Sequence, residues 1–506
     1  MNLENQKTGY LLKELRQAKG YSQLEFGEML ALPVSTIQAL EQGASGLEIT
    51  QIIEISKKLS LSKASAPKSI DFEIQGGQQL SGTIATNYSK NGAMGLLCAS
   101  LLNFGKTTLH GIPRIEEVNR ILEVLESIGV KTEWSDANTL AIQRPKKLSL
   151  ENINDKSARR TRTILMFLGS LIHEYNEFEL PNSQGCTLGK RTISAHLYGL
   201  EKFGVGIEVQ EDKYLVKSGL FNSKSNESVE IVMYEAGDTA TENLLITAAK
   251  YPGKTIIKFA SANYMVQDVC FFLQKLGVIV EGVGTQTLTI QGLEFICKDV
   301  EFYNSPDPIE SMMFLSAGIC TNSHLTITRC PINFLELELL KLEKMGLKFE
   351  LSNDYLAENN ETRLVDIVIQ PSKLIALDDK ITCGPYPDIN SDNLPFFVPI
   401  CCLATGTTLI HDWMYENRAI YFTELNRLGA KISLADPHRV YVDGPVEFKA
   451  AQMACPPALR PAMIILIAML ASDGTSILRN VYSIKRGYEE VATRLNSLGA
   501  KIRVLN

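Results

Sequence analysis

The stretch Gly474–Asn506, GTSILRNVYSIKRGYEEVATRLNSLGAKIRVLN, contains the unit from which the fold is read. It opens on a glycine-linked strand, GTSILRNV, continues as an amphipathic helix that stops at Leu498-Gly499, and closes on a short strand, AKIRVLN. GKTTLHGI, GKTIIKFA and GTTLIHDW are further strands of the first kind, and AKISLAD is another of the second. An apolar residue followed by glycine recurs at Ile128-Gly129, Phe203-Gly204, Leu276-Gly277, Met345-Gly346, Leu428-Gly429 and Leu498-Gly499. The interval of roughly 70 to 85 residues exceeds the usual solenoid periods. Six discrete βαβ-like units are therefore expected, with both faces of their strands covered.

The chain around these units has 506 residues, 45% hydrophobic and 21% charged, with mean hydropathy 0.00. That is ordinary globular composition, which excludes a disordered protein and leaves room for several cores. A net charge of −7 excludes polyanion binding by the molecule as a whole. The start, Met1-Asn2-Leu3-Glu4, lacks a basic segment with an apolar run behind it, and the apolar run Ala462 to Ala471 is too short to span a bilayer. A cytoplasmic protein is expected. Ten scattered cysteines form no Cys-x-x-Cys pair and no Cys/His cluster, so reduced thiols are expected, with no zinc site and no disulfide framework.

The first sixty or so residues read as short helices. Ser22 and Glu25 make a capping box ahead of Phe26, Met29 and Leu30. A turn at Leu32-Pro33 leads into a helix from Val34 to Gln42 with Ile37 and Leu40 inward and Ser35, Thr36 and Gln38 outward. Residues 7 to 60, with the string YSQLEFGEMLALPVSTIQALEQG, resemble the repressor/Cro-type helix-turn-helix family, whose second helix enters the DNA major groove. The resemblance implies DNA contacts from Ser35, Thr36 and Gln38. Seven Lys and Arg face seven Glu across residues 1 to 66, less basic than most DNA-binding modules, so DNA binding stands beside dimerisation or docking to another protein.

Three strings carry chemistry. In LPNSQGCTLGKR, Cys186 lies in a polar loop with Arg191 five residues on, a context that favours the thiolate, whereas cysteines such as Cys401 and Cys402 sit among apolar residues. In TNYSKNGAMG, Lys90 and Asn91 enter a helix, where a lysine meets an anion at the positively polarised end or is simply solvated. In SARRTRTILMFLG, Arg159 and Arg162 are expected on one helical face, with Arg160 in solvent.

The six units, preceded by a helical module, resemble the enolpyruvyl transferase family over about residues 70 to 506, and the three strings resemble its UDP-N-acetylglucosamine branch. The resemblance implies an α/β fold of two domains with three βαβ-like repeats each, built as inside-out barrels, behind a small all-α helix-turn-helix domain. It places the helix-turn-helix at 1–62, a linker at 63–69, domain II at 70–89 with 306–506, and domain I, carrying the cysteine loop, at 90–305. It further implies Cys186 as general acid, Asp392 of YPDINSDNLPF as general base, and Lys90, Arg191, Arg460 of ALRP and Arg486 of KRGYE around phosphoenolpyruvate. Asn91, Arg162, His196, Asp392 and Met414 would meet the nucleotide sugar, with Asp307 of PDPIE and Arg418 of YENR elsewhere in the site. A carboxylate and a phosphate on one small substrate call for such a set of cations, and addition of a hydroxyl across its double bond calls for an acid and a base.

Departures from the family pattern cluster on the nucleotide side. Ser194 stands where the family has an aspartate, Glu235 where it has a lysine, and Gly237-Asp238-Thr239 precede a retained ATEN string; Ala458 replaces an acidic residue, and the loop at Asn182-Ser183-Gln184 is lengthened. Carboxylates near a diphosphate weaken its binding, which points to a modified acceptor or low activity. The implied function is enolpyruvyl transfer to UDP-N-acetylglucosamine or a related nucleotide sugar in peptidoglycan precursor synthesis, with DNA as a further partner. The second reading is a DNA-binding sensor whose transferase body binds ligand without efficient turnover.

Overall fold

Each of the six apolar-glycine pairs ends a helical segment in the computed structural model, which describes residues 13, 16, 22–23, 26–27, 32–41, 70–182, 193–220 and 227–505. The six glycines have φ between 75° and 101°, a region costly for any side chain with a Cβ, and the apolar residue before each is at most 5% exposed. In five of them the following amide reaches back to the last helical turn: Val130 to Leu125, Val278 to Leu273, Leu347 to Leu342, Ala430 to Leu425 and Ala500 to Leu495. This is the Schellman arrangement, which satisfies carbonyls left open at a helix end.

Among the described residues the strands form five four-stranded sheets and one three-stranded sheet. Pairing within a unit is mixed. Thr107–His110 runs parallel to Val300–Tyr303 but antiparallel to Leu140–Gln143, whose far edge carries Lys131–Trp134. The strand that follows the helix is thus separated from the strand before it by the returning arm of a hairpin, because a short connection joins neighbouring strands only antiparallel. Three sheets draw on residues 107–303, and three on 71–85 with 324–505.

Two crossovers link these groups, from Ser81–Ala85 into the helix Lys90–Ala99 and from Val300–Tyr303 into Pro308–Cys320. They lie side by side: Ser89 N–H donates to the Ser305 carbonyl and Asp307 N–H to the Asn87 carbonyl, both at 2.8 Å, while Asn304 Nδ2 donates to the carbonyls of Ser89 (2.7 Å) and Gly111 (2.9 Å). Behind them Pro308–Cys320, Leu394–Leu403 and Leu459–Ala471 pack against one another, buried on almost every face, as expected of helices apolar all round.

Two local expectations are corrected. Arg159 and Arg162 do not share a helix. The helix Asp155–Ala158 ends, and the Thr161 hydroxyl caps a new turn, Arg162–Phe167, by accepting from Thr163 N–H; Arg159 instead pairs with Asp155 at 2.6 Å. The last unit also lacks one continuous helix. Tyr482–Lys485 and Val491–Ser497 are separated by the turn Arg486-Gly487-Tyr488-Glu489-Glu490, with Glu490 at φ 44°.

Residues 1–69 form a separate unit from residues 70–506. In it the helix Val34–Glu41 buries Ile37 and Leu40, and Phe26 is also buried. Gly27 is helical, and an added Cβ there would fall 2.7 Å from the Leu32 carbonyl oxygen in the turn before Val34–Glu41. Arg16 is paired with Glu41 through two contacts, at 2.5 and 3.0 Å. Glu25, Met29, Leu30 and the expected linker lie outside the described residues.

Candidate active site

The helix Lys90–Ala99 begins because Ser89 caps it, its Oγ accepting from Gly92 N–H at 2.9 Å, and this sets Lys90 at the positive end of the helix. Burial draws the Lys90 ammonium below the usual lysine value, Glu117 and Asp392 oppose that shift, and Arg460 and Arg486 reinforce it. Four other charged groups from distant parts of the chain therefore act on Lys90. Asp307 caps the neighbouring helix by accepting from Ile309 N–H at 2.9 Å, and its second oxygen lies 3.4 Å from Lys90 N. Burial pushes its carboxyl up.

Asp392 meets two of the expected arginines. Arg460 Nη2 donates to its Oδ2 at 3.0 Å, and Arg418 Nη1 lies 3.7 Å from its Oδ1. Burial raises the Asp392 carboxyl, but Arg460 and Arg418 outweigh burial and hold it down at about 2. Arg460 also donates to Tyr488 Oη at 2.6 Å, and its guanidinium lies 5.3 Å from the ring centre. Arg418, 1% exposed, is ion-paired to the buried Asp412 and donates to the Ser391 carbonyl at 2.7 Å, so it fixes the backbone next to Asp392. Arg486 lies across the site with Nε 3.1 Å from Glu117 Oε2. Among the described residues the Nε–H groups of Arg460 and Arg486 are buried and make no hydrogen bond; the Arg486–Glu117 contact is an ion pair off the N–H direction.

A second set is neutral. His196, 3% exposed, accepts from Asn243 Nδ2 at Nδ1 (3.1 Å), which leaves the Nε2 hydrogen facing Thr239 Oγ1 at 3.3 Å. Burial lowers its pKa to about 3, so the ring is uncharged near neutrality. Asn243 of the ATEN string further donates to the Leu165 carbonyl (3.1 Å) and accepts from Gly169 N–H (2.8 Å), tying the Arg162–Phe167 turn to the helices Ser194–Glu201 and Asp238–Ala249. Asn91 donates to Tyr264 Oη at 3.1 Å. Asp238 accepts from Ser261 Oγ (2.6 Å) and Asn263 Nδ2 (3.3 Å), whereas Glu235 and Met414 are exposed and Arg162 and Ser194 half-buried.

Cys186 and Arg191 lie outside the described residues. The start of their loop is anchored by Asn182, which donates to the Gln210 carbonyl (3.1 Å) and accepts from Tyr214 Oη (2.7 Å). The sequence reading missed Glu117 and Tyr488. Tyr488 sits in the quoted KRGYE string, while Glu117 looks like any acid in a first helical turn. No group of three or more His, Cys, Asp or Glu among the described residues is arranged to hold a metal ion, and none of their helices is long and apolar enough to cross a membrane. On the N-terminal helix, Ser35 and Gln38 are exposed and Thr36 half-buried; Gln38 Nε2 donates to Gln23 Oε1 at 3.3 Å, and Gln23 donates to Glu41 at 2.9 Å.

Mixed sheets in two sets of three, joined by paired crossovers beside a lysine, an aspartate and two arginines, define an enolpyruvyl transferase. The comparisons agree. The model of the EPSP synthase (3-phosphoshikimate 1-carboxyvinyltransferase) family matches residues 74–495, and a helix-turn-helix model matches residues 12–64. UDP-N-acetylglucosamine 1-carboxyvinyltransferase of Campylobacter hominis is 32% identical over 441 residues, 86% of this chain and 99% of its own, and that of Bradyrhizobium diazoefficiens is 29% identical over 86% and 98%. The enolpyruvyl transferase NikO from Streptomyces tendae superposes with TM-score 0.73 at 22% identity, covering 87% of this chain and 99% of that one. An EPSP synthase from Acinetobacter baumannii does so with TM-score 0.67 at 15% identity, over 86% and 100%. The chain belongs to the EPSP synthase family of 1-carboxyvinyltransferases, and it is a transferase with a helix-turn-helix domain at its N-terminus.

Proposed function

We propose that the protein transfers the enolpyruvyl group of phosphoenolpyruvate to a hydroxyl of UDP-N-acetylglucosamine or a closely related nucleotide sugar, releasing phosphate, as a cytoplasmic step in peptidoglycan precursor synthesis. The observation that carries this reading is the meeting of Lys90, Asp392, Arg460 and Arg486, from four distant segments, with the Nε–H groups of both arginines buried and without a hydrogen bond. Such a set suits a small substrate with an anion at each end.

In the proposed reaction Asp392 takes the proton of the acceptor hydroxyl as its oxygen bonds to C2 of phosphoenolpyruvate, and Cys186 delivers a proton to C3. The tetrahedral adduct then loses a C3 proton and its phosphate, which restores the double bond and needs no cofactor. Arg418 positions Asp392 through Ser391. Lys90, Arg191, Arg460 and Arg486 hold the phosphate and carboxylate, and Asn91, Arg162, His196 and Met414, with Asp307 behind Lys90, serve the acceptor side. The helix-turn-helix binds DNA through Ser35, Thr36 and Gln38, with Gln38 oriented by Gln23. Phosphate release from phosphoenolpyruvate that depends on UDP-N-acetylglucosamine supports the transfer reading. Binding of both ligands without phosphate release contradicts it.

A further inference from the structure

Glu117 stands in the first turn of the helix Glu116–Ser127 and is not among the residues assigned a role in the site. Its Oε2 is the ion-pair partner of Arg486, its Oε1 accepts from Thr161 Oγ1 at 3.3 Å, and its backbone N–H reaches the Arg486 carbonyl at 3.4 Å. The same turn is fastened a second time by Glu489, which accepts from Arg114 N–H at 3.1 Å and Asn87 Nδ2 at 3.4 Å. The turn that interrupts the last helix is therefore docked by backbone and by Glu489 whether or not the Glu117 side chain carries a charge. That carboxylate does something further: it neutralises a guanidinium beside Lys90, and it is the first charge opposing the loss of the Lys90 proton. Asp392 treats Arg460 in the same way. Arg460 keeps a buried Nε–H without a hydrogen bond beside its ion pair at Nη2, and the buried Nε of Arg486, the atom of its ion pair, has no aligned hydrogen bond.

We propose that Glu117 is a positioning residue of the phosphoenolpyruvate site: its carboxylate holds Arg486 in place while the site is empty, and the anionic substrate takes the guanidinium over, so that binding proceeds by exchange of ion pairs. This rests on the reading of Arg486 as a phosphoenolpyruvate ligand. The competing contact has a cost for affinity. An ion pair with side chains 35% and 14% exposed is worth a fraction of a kcal/mol to about 1 kcal/mol, so removing it should tighten anion binding about two- to fivefold.

The test is a double-mutant cycle on the full-length protein, titrated with inorganic phosphate and with phosphoenolpyruvate in a calorimeter. Glu117→Gln is expected to lower both dissociation constants about two- to fivefold and to lower KM for phosphoenolpyruvate more than it changes kcat. In an Arg486→Ala background the same substitution is expected to change nothing. Should Glu117→Gln not fold, Glu117→Ala, which also removes the carboxylate, carries the same readout. Unchanged or weakened binding, or equal tightening without Arg486, overturns the proposal while leaving Arg486 as a ligand. An Arg486→Ala variant that binds both anions like the parent overturns the reading of Arg486 and the proposal with it.

Discussion

Around Lys90 the charges are paired with partners that a substrate can replace: Arg460 with Asp392, Arg486 with Glu117. On the other side His196, Asn243 and Thr239 are neutral and linked through the imidazole, and Asn243 joins three segments. The first region resembles a site waiting for an anion, and the second a hydrogen-bonded wall at whose edge Glu235 faces solvent. The difference teaches that the two regions can change separately, because ion pairs and hydrogen-bonded wall residues that share no partner are independent of each other.

The largest expected effect breaks the charged region. Asp392→Asn removes the proposed base, and kcat should fall by about two orders of magnitude or more, the usual scale for loss of a general base. Phosphoenolpyruvate affinity should hold or improve, because Arg460 is released. A collapse in affinity with a high residual kcat makes Asp392 a binding residue instead.

Next comes pH. A folded pKa of about 2 for Asp392 lies below the ordinary aspartate value of about 3.9. The sign follows: its ion pairs stabilise the fold above about pH 4, and that stability is lost as pH falls towards 2. An aspartate held so low is also a weak base until its arginines turn to the substrate. The acid limb of kcat, which reports the bound complex, should therefore lie at higher pH than any Asp392 contribution to kcat/KM. Coincident acid limbs contradict an exchange at Arg460.

The smallest effect concerns the acceptor side. Glu235 is exposed, so its repulsion of a diphosphate is screened, and Glu235→Lys should tighten UDP-N-acetylglucosamine only a few-fold in calorimetry, less at high salt. No change would place Glu235 away from the nucleotide. Asp238 makes a poorer target, since both its oxygens already hold Ser261 and Asn263.

The fold was legible where backbone geometry leaves a mark on residue choice. The six glycines after Ile128, Phe203, Leu276, Met345, Leu428 and Leu498 all have positive φ, and that requirement is what made the repeat visible. The strand order was less legible, since a hairpin inserted between two strands alters pairing without altering periodicity. The break at Arg486 was hidden because apolar spacing continues through it. Within the site, cations in unusual strings were easy to notice. Glu117 was not, because an acid in a first helical turn has a sufficient local explanation and its partner lies in a distant segment.

The most direct test of the whole account is the mass of the acceptor after incubation with phosphoenolpyruvate, read alongside phosphate in the same reaction. The account predicts one carboxyvinyl group gained per phosphate released, with the acceptor hydroxyl hydrogen lost, and no product from Asp392→Asn on the same timescale. Phosphate released without any change in the acceptor's mass, or an unchanged acceptor with no phosphate at all, would contradict it.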